Sequence, residues 1–496
     1  MSIPLAVIEQ IVSGSGAAEA IELMLPAGVR ERQLKAGTLL IGMMLALADG
    51  RPAHLTRLLE ALTGLPEDDQ KRLGVIAQWA KGPHQLTYRQ VEHTHRLIRK
   101  ALAREPPDGA PTADLQRLCD QLLEASIPAE FKNASTSLAV DWTDVEAWAR
   151  AVPASSPGTG ADPEARWGHR NVNRAIEKGE MFFGYYMPAA TMVNDEDGPV
   201  VPELVRRITV CSSAHDPAVA LVPVLAGMAA SGVKPGDILA DSGFSYRAPG
   251  TWANPLRGIG AQLVVDLHPQ DRGPQGTHEG AVICNGNLYC PQTPKPLLQL
   301  IPPPPAASAA EAAAHDQQTT ELSRYKFGLH AAEDADGRRR LACPAAMGKI
   351  RCPLRPAPVK LERSRPEILA PPENPQACCT QKTITAGPGV AAKTRQKRDY
   401  PSAAWRRSYR RRTASERLNS SVKDTATGSI GRGWIRLTGI TPLMLCLSCM
   451  MVVRNQRILA AWNKRQHDDA RHAAEGPPPR TRKPRRELAS AGPAPP

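Results

Sequence analysis

The sequence predicts an α/β protein with a helical N-terminal region and a long insertion inside the sheet domain. Three observations carry this. Residues 1–104 hold repeated amphipathic and apolar helical runs. Short apolar segments bounded by turn residues then follow one another from Ser137 to Leu267, with an apolar helix, Ala218–Ala230, among them. Regular periodicity fades from about His268 and returns at Ser402.

In the first region, Leu39 to Leu47 is apolar and helix-prone until Gly50 breaks it. His54 to Leu62 carries Leu55, Leu58, Leu59 and Leu62 at helical spacing. Thr87 and Gln90 have capping-box spacing ahead of a helix running through Leu97 and Leu102. Short helices joined by tight turns suit a DNA-binding bundle or a protein-docking one. Residues 105–132 read as a linker, beginning EPPDGA, and a helix near Leu115 to Ala125. Within 133–267 the expected strands are Ser137–Asp141, Met181–Val193, Leu204–Cys211, Asp237–Asp241 and Ala261–Leu267. Residues 268–400 read as a loop- and cysteine-rich insertion whose stretch IPPPPAASAAEAAAH is a loop or extended arm. Residues 401–470 read as helices closing the sheet domain, and 471–496 as a disordered basic tail.

The chain has 496 residues, enough for two or three domains. Aromatics make up 4%, so Leu, Val, Ile, Ala and Met must supply most of the core. The formal charge is +13, which favours an anionic partner such as nucleic acid. Part of that excess lies in the tail (Arg480, Arg482, Lys483, Arg485, Arg486) and part in a cluster from Lys393 to Arg417. The N-terminus lacks the basic head of a signal peptide, and the longest apolar run, about Pro442 to Val453, is too short for a bilayer. The expectation is a cytoplasmic, nucleoid-associated protein with reduced thiols and no membrane contact.

Asp141 ends the run SLAV and Asp241 ends DILA. An acid where a buried strand stops is costly to desolvate without a cation, and sites gather at strand ends in α/β sheets. Ordinary turn-capping aspartates fit the same pattern. Asp144, Asp237 and Asp266 are similar candidates. The segment YRRRTASERLNSSVKD is more specific. On a continuous helix, Tyr409, Arg412, Glu416 and Lys423 fall within an arc of about 60°. One face then offers a carboxylate for a metal ion, two cations for phosphate oxygens and a phenol to hydrogen-bond or stack. A solvated basic helix is the plain alternative.

Tyr409, Arg412, Glu416 and Lys423 resemble the Y-x2-R-x3-E-x6-K signature of a large group of DDE-type insertion-sequence transposases. SLAVDWTDVEAW, MFFGYYMPAATMV and GDILADSGFSYR resemble that group's segments around the first Asp, the next strand and the second Asp, in order. RGWIRLTGI and VVRNQRI also look familial, and the likeness spans about Asp141 to Arg457. In one departure, Tyr185-Tyr186-Met187 stands where many relatives carry a basic residue.

The resemblance implies an RNase H-like core with Asp141, Asp241 and Glu416 as catalytic metal ligands for Mg²⁺ or Mn²⁺. It implies that Tyr409, Arg412 and Lys423 contact the element's DNA end. The partners it implies are double-stranded DNA, terminal inverted repeats and target DNA, engaged by a homodimer. The activity it implies is cutting at element ends and joining them to target. A non-catalytic DNA-binding derivative and an RNase H-like nuclease without strand transfer are the alternatives.

The ten cysteines raise a separate question. Cys290, Cys343, Cys352 and either Cys378 or Cys379 offer four ligands for Zn²⁺ in the insertion, though no standard CxxC pairs are present there. Reduced, buried thiols are the alternative. Cys446 and Cys449 have CxxC spacing inside an apolar helix, which reads as core packing. No phosphate-cradling glycine loop followed by Lys-Ser/Thr occurs, so no ATP dependence is expected.

Overall fold

The computed structural model describes residues 3–27, 31–80, 82–105, 108–170, 180–304, 306–355, 364–425 and 428–475. The chain opens with α1 (Leu5–Ser15), α2 (Ala17–Met24), α3 (Ala36–Ala48), α4 (Leu55–Thr63) and α5 (Glu67–Arg72). A hairpin of β1 (Ile76–Trp79) and β2 (Gly82–Gln85) precedes α6 (Tyr88–Leu102). The capping box at Thr87 and Gln90 starts α6 as expected. The hairpin corrects the all-helical reading. Its strands are four residues each and half-exposed, so no apolar alternation marks them. α3 is apolar all round because it is buried all round. It crosses α4 so closely that a Cβ on Gly42 would stand 2.8 Å from Leu62.

After α7 (Ala113–Ala125) and α8 (Ala129–Lys132) comes a seven-stranded mixed sheet. Its strands are β3 (Leu138–Glu146), β4 (Arg166–His169), β5 (Met181–Met192), β6 (Val205–Ile208), β7 (Cys211–Ser212), β8 (Asp237–Ala240) and β9 (Gln262–Val265). α9 (Pro217–Ala230) lies between β7 and β8 in sequence, and α10 (Ser242–Ser245) and α11 (Ala253–Gly258) between β8 and β9. β3 is antiparallel to β5 along its whole length and parallel to β8, which is parallel to β9. Beyond β5, the short strands β4, β7 and β6 pair with it in turn. The expected strand Leu204–Cys211 is thus two pieces, with a register shift on β5 beside β6.

The insertion is more ordered than its sequence suggests. It holds β10 (Pro274–His278), β11 (Ala281–Cys284) and β12 (Asn287–Tyr289) in one antiparallel sheet, then α12 (Lys295–Leu298) and α13 (Ala309–Arg324). A second sheet is built from β13 (Gly328–Leu329), β14 (Arg339–Ala342) and β15 (Thr383–Ala386), with α14 (Ala377–Thr380) before β15. The low-complexity stretch read as a loop is in part helical. Ser308 and Glu311 form a reciprocal cap, and the alanines that follow are strong helix formers.

α15 (Ala403–Tyr409), a 3₁₀ turn Arg410–Arg412 and α16 (Thr413–Lys423) return the chain to the sheet, and α17 (Ile440–Glu475) ends the described part. The single helix expected through Tyr409 and Lys423 is therefore broken by a tighter turn at the arginines. Residues 471–475 of the expected disordered tail are helical, and its basic residues Arg480 to Arg486 lie outside the described residues. α17 is long and apolar enough to cross a membrane by length and composition, beyond what the short apolar run suggested, but 72% of its most apolar window is buried inside the protein. It packs in one continuous core with the N-terminal helices, α7 and one part of the sheet, through Ile8, Met44, Leu118, Tyr185, Met187 and Leu447. Cys446 and Cys449 are fully buried there. A second core joins Val140, Leu225, Ile238 and Val264 to Tyr400, Trp405 and Ala414.

Candidate active site

The parallel pairing of β3 and β8 fixes the two aspartates. Leu138 pairs with Ile238 and Ala139 with Leu239, so Asp141 stands level with Asp241. Neighbouring strands lie about 4.8 Å apart, and equal parity puts both side chains on one face. Asp241 follows the last residue of β8 in extended backbone, φ −80° and ψ −177°, so the alternation carries through it. The strand does not stop at Asp141: β3 continues five residues, to Glu146. What stops there is the partner β8, which leaves Asp141 beside a strand end rather than at its own.

Each aspartate is held by local backbone. The Trp142 N–H donates to Asp141 Oδ1 at 2.8 Å, and the Gly243 N–H donates to Asp241 Oδ1 at 2.9 Å. Gly243 has no room for a side chain, because a Cβ would stand 2.8 Å from the Trp142 ring and 3.0 Å from Asp241 Oδ1. Trp142 in turn packs on Phe244, ring centroids 4.6 Å apart. Nothing in the sequence alone marks Gly243 for this close approach.

Arg412 sits between the acids. Its Nη1 is 3.5 Å from Asp141 Oδ2, and its Nη2 bonds Glu416 one turn along α16. Its guanidinium also lies 5.6 Å from the Tyr409 ring centre, which stacks on Trp405 at 4.7 Å. The 3₁₀ turn explains this, since residues i and i+3 eclipse in that geometry and bring Tyr409 under Arg412. Burial opposes the charge on Arg412, but Tyr409, Asp141, Glu416 and Asp241 around it hold it protonated.

The electrostatics single out the two aspartates. Burial first, and the neighbouring Asp241 second, push the Asp141 carboxyl up to about 7. Burial also raises Asp241, against the pull of Arg412. The rival candidates are neutralised. Asp237 is held by Lys397 at 2.9 Å and Arg411 at 2.7 Å, Asp144 by Arg170 at 2.8 Å and Lys423 at 3.0 Å, and Asp266 by Arg272 and the Tyr400 hydroxyl, both at 3.2 Å. Asp141 and Asp241 are thus under-compensated for their burial, which is the condition that a divalent cation relieves. Glu416 is 56% exposed at the rim and turned to Arg412. Among the described residues no three His, Cys, Asp or Glu side chains already form a metal-holding group. Carboxylate oxygens are the donors that a hard cation takes, and Arg412, in contact with Asp141 and Glu416 and in the field of Asp241, is the neighbour that all three share.

Sequence reasoning missed Arg411. Its side chain is 9% exposed and bonds Asp237, the Asn194 carbonyl at 3.0 Å and Ser408 Oγ at 2.7 Å. It therefore ties the 3₁₀ turn to the start of β8 and sets where Arg412 points. Within a run of three arginines nothing separates it from its neighbours. Also missed is a rim beyond α10. Tyr246 is 51% exposed, with the Arg247 guanidinium and the Lys393 ammonium each 5.5 Å from its ring. Lys423, expected to face DNA, is half-exposed and paired with Asp144. The candidate zinc cysteines lie in the insertion, away from these acids in the fold, in a third apolar core with Leu288, Tyr325 and Phe327.

No protein-family model, curated protein or solved structure matches the chain.

Proposed function

We propose that this chain is a DDE-type DNA transposase on an RNase H-like core, cutting at element ends and joining them to target DNA. The observation that carries the reading is the level placement of Asp141 and Asp241 on adjacent parallel strands, with Glu416 joined to Asp141 through Arg412. The sheet supports it. Three antiparallel strands (β6, β5, β3) are followed across the sheet by two parallel ones (β8, β9), with acids on the first of these five in sequence, after the fourth and on a helix beyond the fifth. That is the order expected of an RNase H-like core.

Asp141, Asp241 and Glu416 are the residues that would hold Mg²⁺ or Mn²⁺. Such ions activate the attacking oxygen and stabilise the leaving one at a phosphodiester that otherwise resists hydrolysis. The chain's own residues do the rest. Once its acids are engaged, Arg412 is released to donate to a phosphate oxygen, and Tyr409 holds it in place. Lys423, Arg247 and Lys393, paired with Asp144, Asp216 and Asp271, would exchange those carboxylates for DNA phosphates, and the exposed Tyr246 ring would meet a base. Water attacks the phosphorus at the element end and a 3′-hydroxyl leaves. That hydroxyl then attacks a target phosphorus and displaces the target's own 3′-oxygen. Tyr409 is a positioning residue and not a nucleophile, because burial pushes its phenol up and Trp405 covers one face. Terminal inverted repeats engaged by the helical N-terminal region, a homodimer on DNA and a cytoplasmic, nucleoid-associated location complete the proposal.

The test is a strand-transfer assay with a pre-cut end taken from inverted repeats beside the reading frame, a supercoiled target plasmid and Mg²⁺. Joined product is expected. Cleavage without joining would make the chain a nuclease, and binding with neither would make it a non-catalytic DNA-binding protein.

A further inference from the structure

Four thiols of the insertion line one small enclosed space. Cys290, Cys343, Cys352 and Cys379 surround a cavity of about 10 Å³, together with Ile350, Leu354 and Arg355. That volume is at the threshold for one water molecule, so it suits a single ion and no organic ligand. The four residues come from separate places: the turn after β12, the turn after β14, an irregular segment following it, and α14. Folding rather than chain proximity gathers them.

Backbone N–H groups reach two of the four sulfurs. Burial pushes both thiols up, Cys290 to about 12, and against that effect Cys343 accepts from the N–H groups of Ala345 and Ala346, and Cys290 from that of Gln292. Hydrogen bonds to sulfur favour its charged form. Three of the four cysteines are followed by proline: Pro291, Pro344 and Pro353. Proline has no N–H and a fixed φ, so the first amide free to turn back to the sulfur is two residues on. Cys284 makes the contrast. Its thiol donates to the Leu298 carbonyl at 3.2 Å, which requires the S–H form.

We propose that Cys290, Cys343, Cys352 and Cys379 bind one structural zinc ion that holds the two small sheets of the insertion together. The sequence left Cys378 and Cys379 undecided. The cavity is lined by Cys379, whereas Cys378 does not line it: its sulfur lies toward Gly280 and 3.7 Å from that of Cys379. Among the described residues no three such side chains stand in a metal-holding arrangement, so binding would require the four thiols to rotate inward across the cavity they line. Binding releases the four thiol protons and leaves a net charge of two minus, and Arg355 stands beside the cavity to offset it. Zinc accepts four sulfurs in a closed tetrahedral shell, and small units with thin cores gain folding energy from it.

The experiment uses the full chain, purified without added metal, DNA or Mg²⁺, so that its outcome is independent of the catalytic reading. Elemental analysis is expected to find one zinc per chain. Cys343→Ser and Cys379→Ser should lower zinc content about tenfold, while Cys378→Ser and Cys284→Ser keep it. Exchange of the wild-type protein into Co²⁺ should give the intense sulfur-to-metal absorption of a four-thiolate tetrahedral site, which decides the matter if a variant does not fold. No zinc and no such absorption in the wild type overturns the proposal. So does zinc retained by Cys343→Ser, or lost from Cys378→Ser and kept by Cys379→Ser.

Discussion

Glu416→Gln is expected to lower Mg²⁺-dependent strand cleavage by roughly 10³-fold or more, equivalent to about 4 kcal/mol of barrier. Binding of the element end should change by less than about twofold in the same variant. The split follows from where Glu416 sits. It is exposed, and its one ion pair among the described residues is with Arg412. Gln keeps its size and removes the charge that a hard cation needs. A gel-shift titration beside a cleavage time course measures both halves. Retained cleavage removes Glu416 from the site, and a parallel loss of binding makes it a DNA-contact residue instead.

The second large effect is on stability. Arg412→Ala should destabilise the metal-free protein at pH 8 by roughly 3 kcal/mol, because it leaves two buried carboxyls without their cation. The pH dependence has a definite sign. The Asp141 carboxyl in the folded protein is already pushed up to about 7 by burial and Asp241, and Arg412 is what lowers both aspartates. A folded pKa above the unfolded one gives stability that is complete below about 4 and is lost as pH rises through the folded value. The variant should therefore lie close to the wild type at pH 5 and well below it at pH 8. Millimolar Mg²⁺ at pH 8 should restore part of the loss. Thermal melts at the two pH values, with and without Mg²⁺, read this directly. A penalty equal at both pH values and indifferent to Mg²⁺ would mean that Arg412 serves packing alone.

The parts of this site that were legible in the sequence are those written in one local pattern. SLAVD and DILAD announce buried strands that meet an acid, and both strands form. The spacing of Arg412 and Glu416 announces a shared helical face, and they pair. Long-range register was not legible. Nothing local says that residue 141 stands level with 241, or that β3 outlasts its parallel neighbour. The WTDVE continuation does alternate in burial, but its polar positions hide the strand. The arginine run hides its division of labour in the same way. Arg411 turns inward to Asp237 and Arg412 faces the acids, because a 3₁₀ turn replaces the expected α-helix there. The insertion escaped because its strands are two to five residues long and split by turns, too short for a periodic signal. The choice between Cys378 and Cys379 depends on which way one short helix faces, which adjacent positions cannot reveal.

The proposed activity requires one metal site shared by three acids that are far apart in sequence. Iron-directed cleavage reads that site without any knowledge of the DNA ends. Fe²⁺ takes the place of Mg²⁺, and ascorbate with peroxide then produces hydroxyl radicals that cut the backbone beside the bound ion. The expected fragments end near residues 141, 241 and 416 together, and all three disappear when excess Mg²⁺ competes or when Asp241 is replaced by Asn. Cuts near only one of the three positions, or a pattern that Asp241→Asn leaves unchanged, would contradict it.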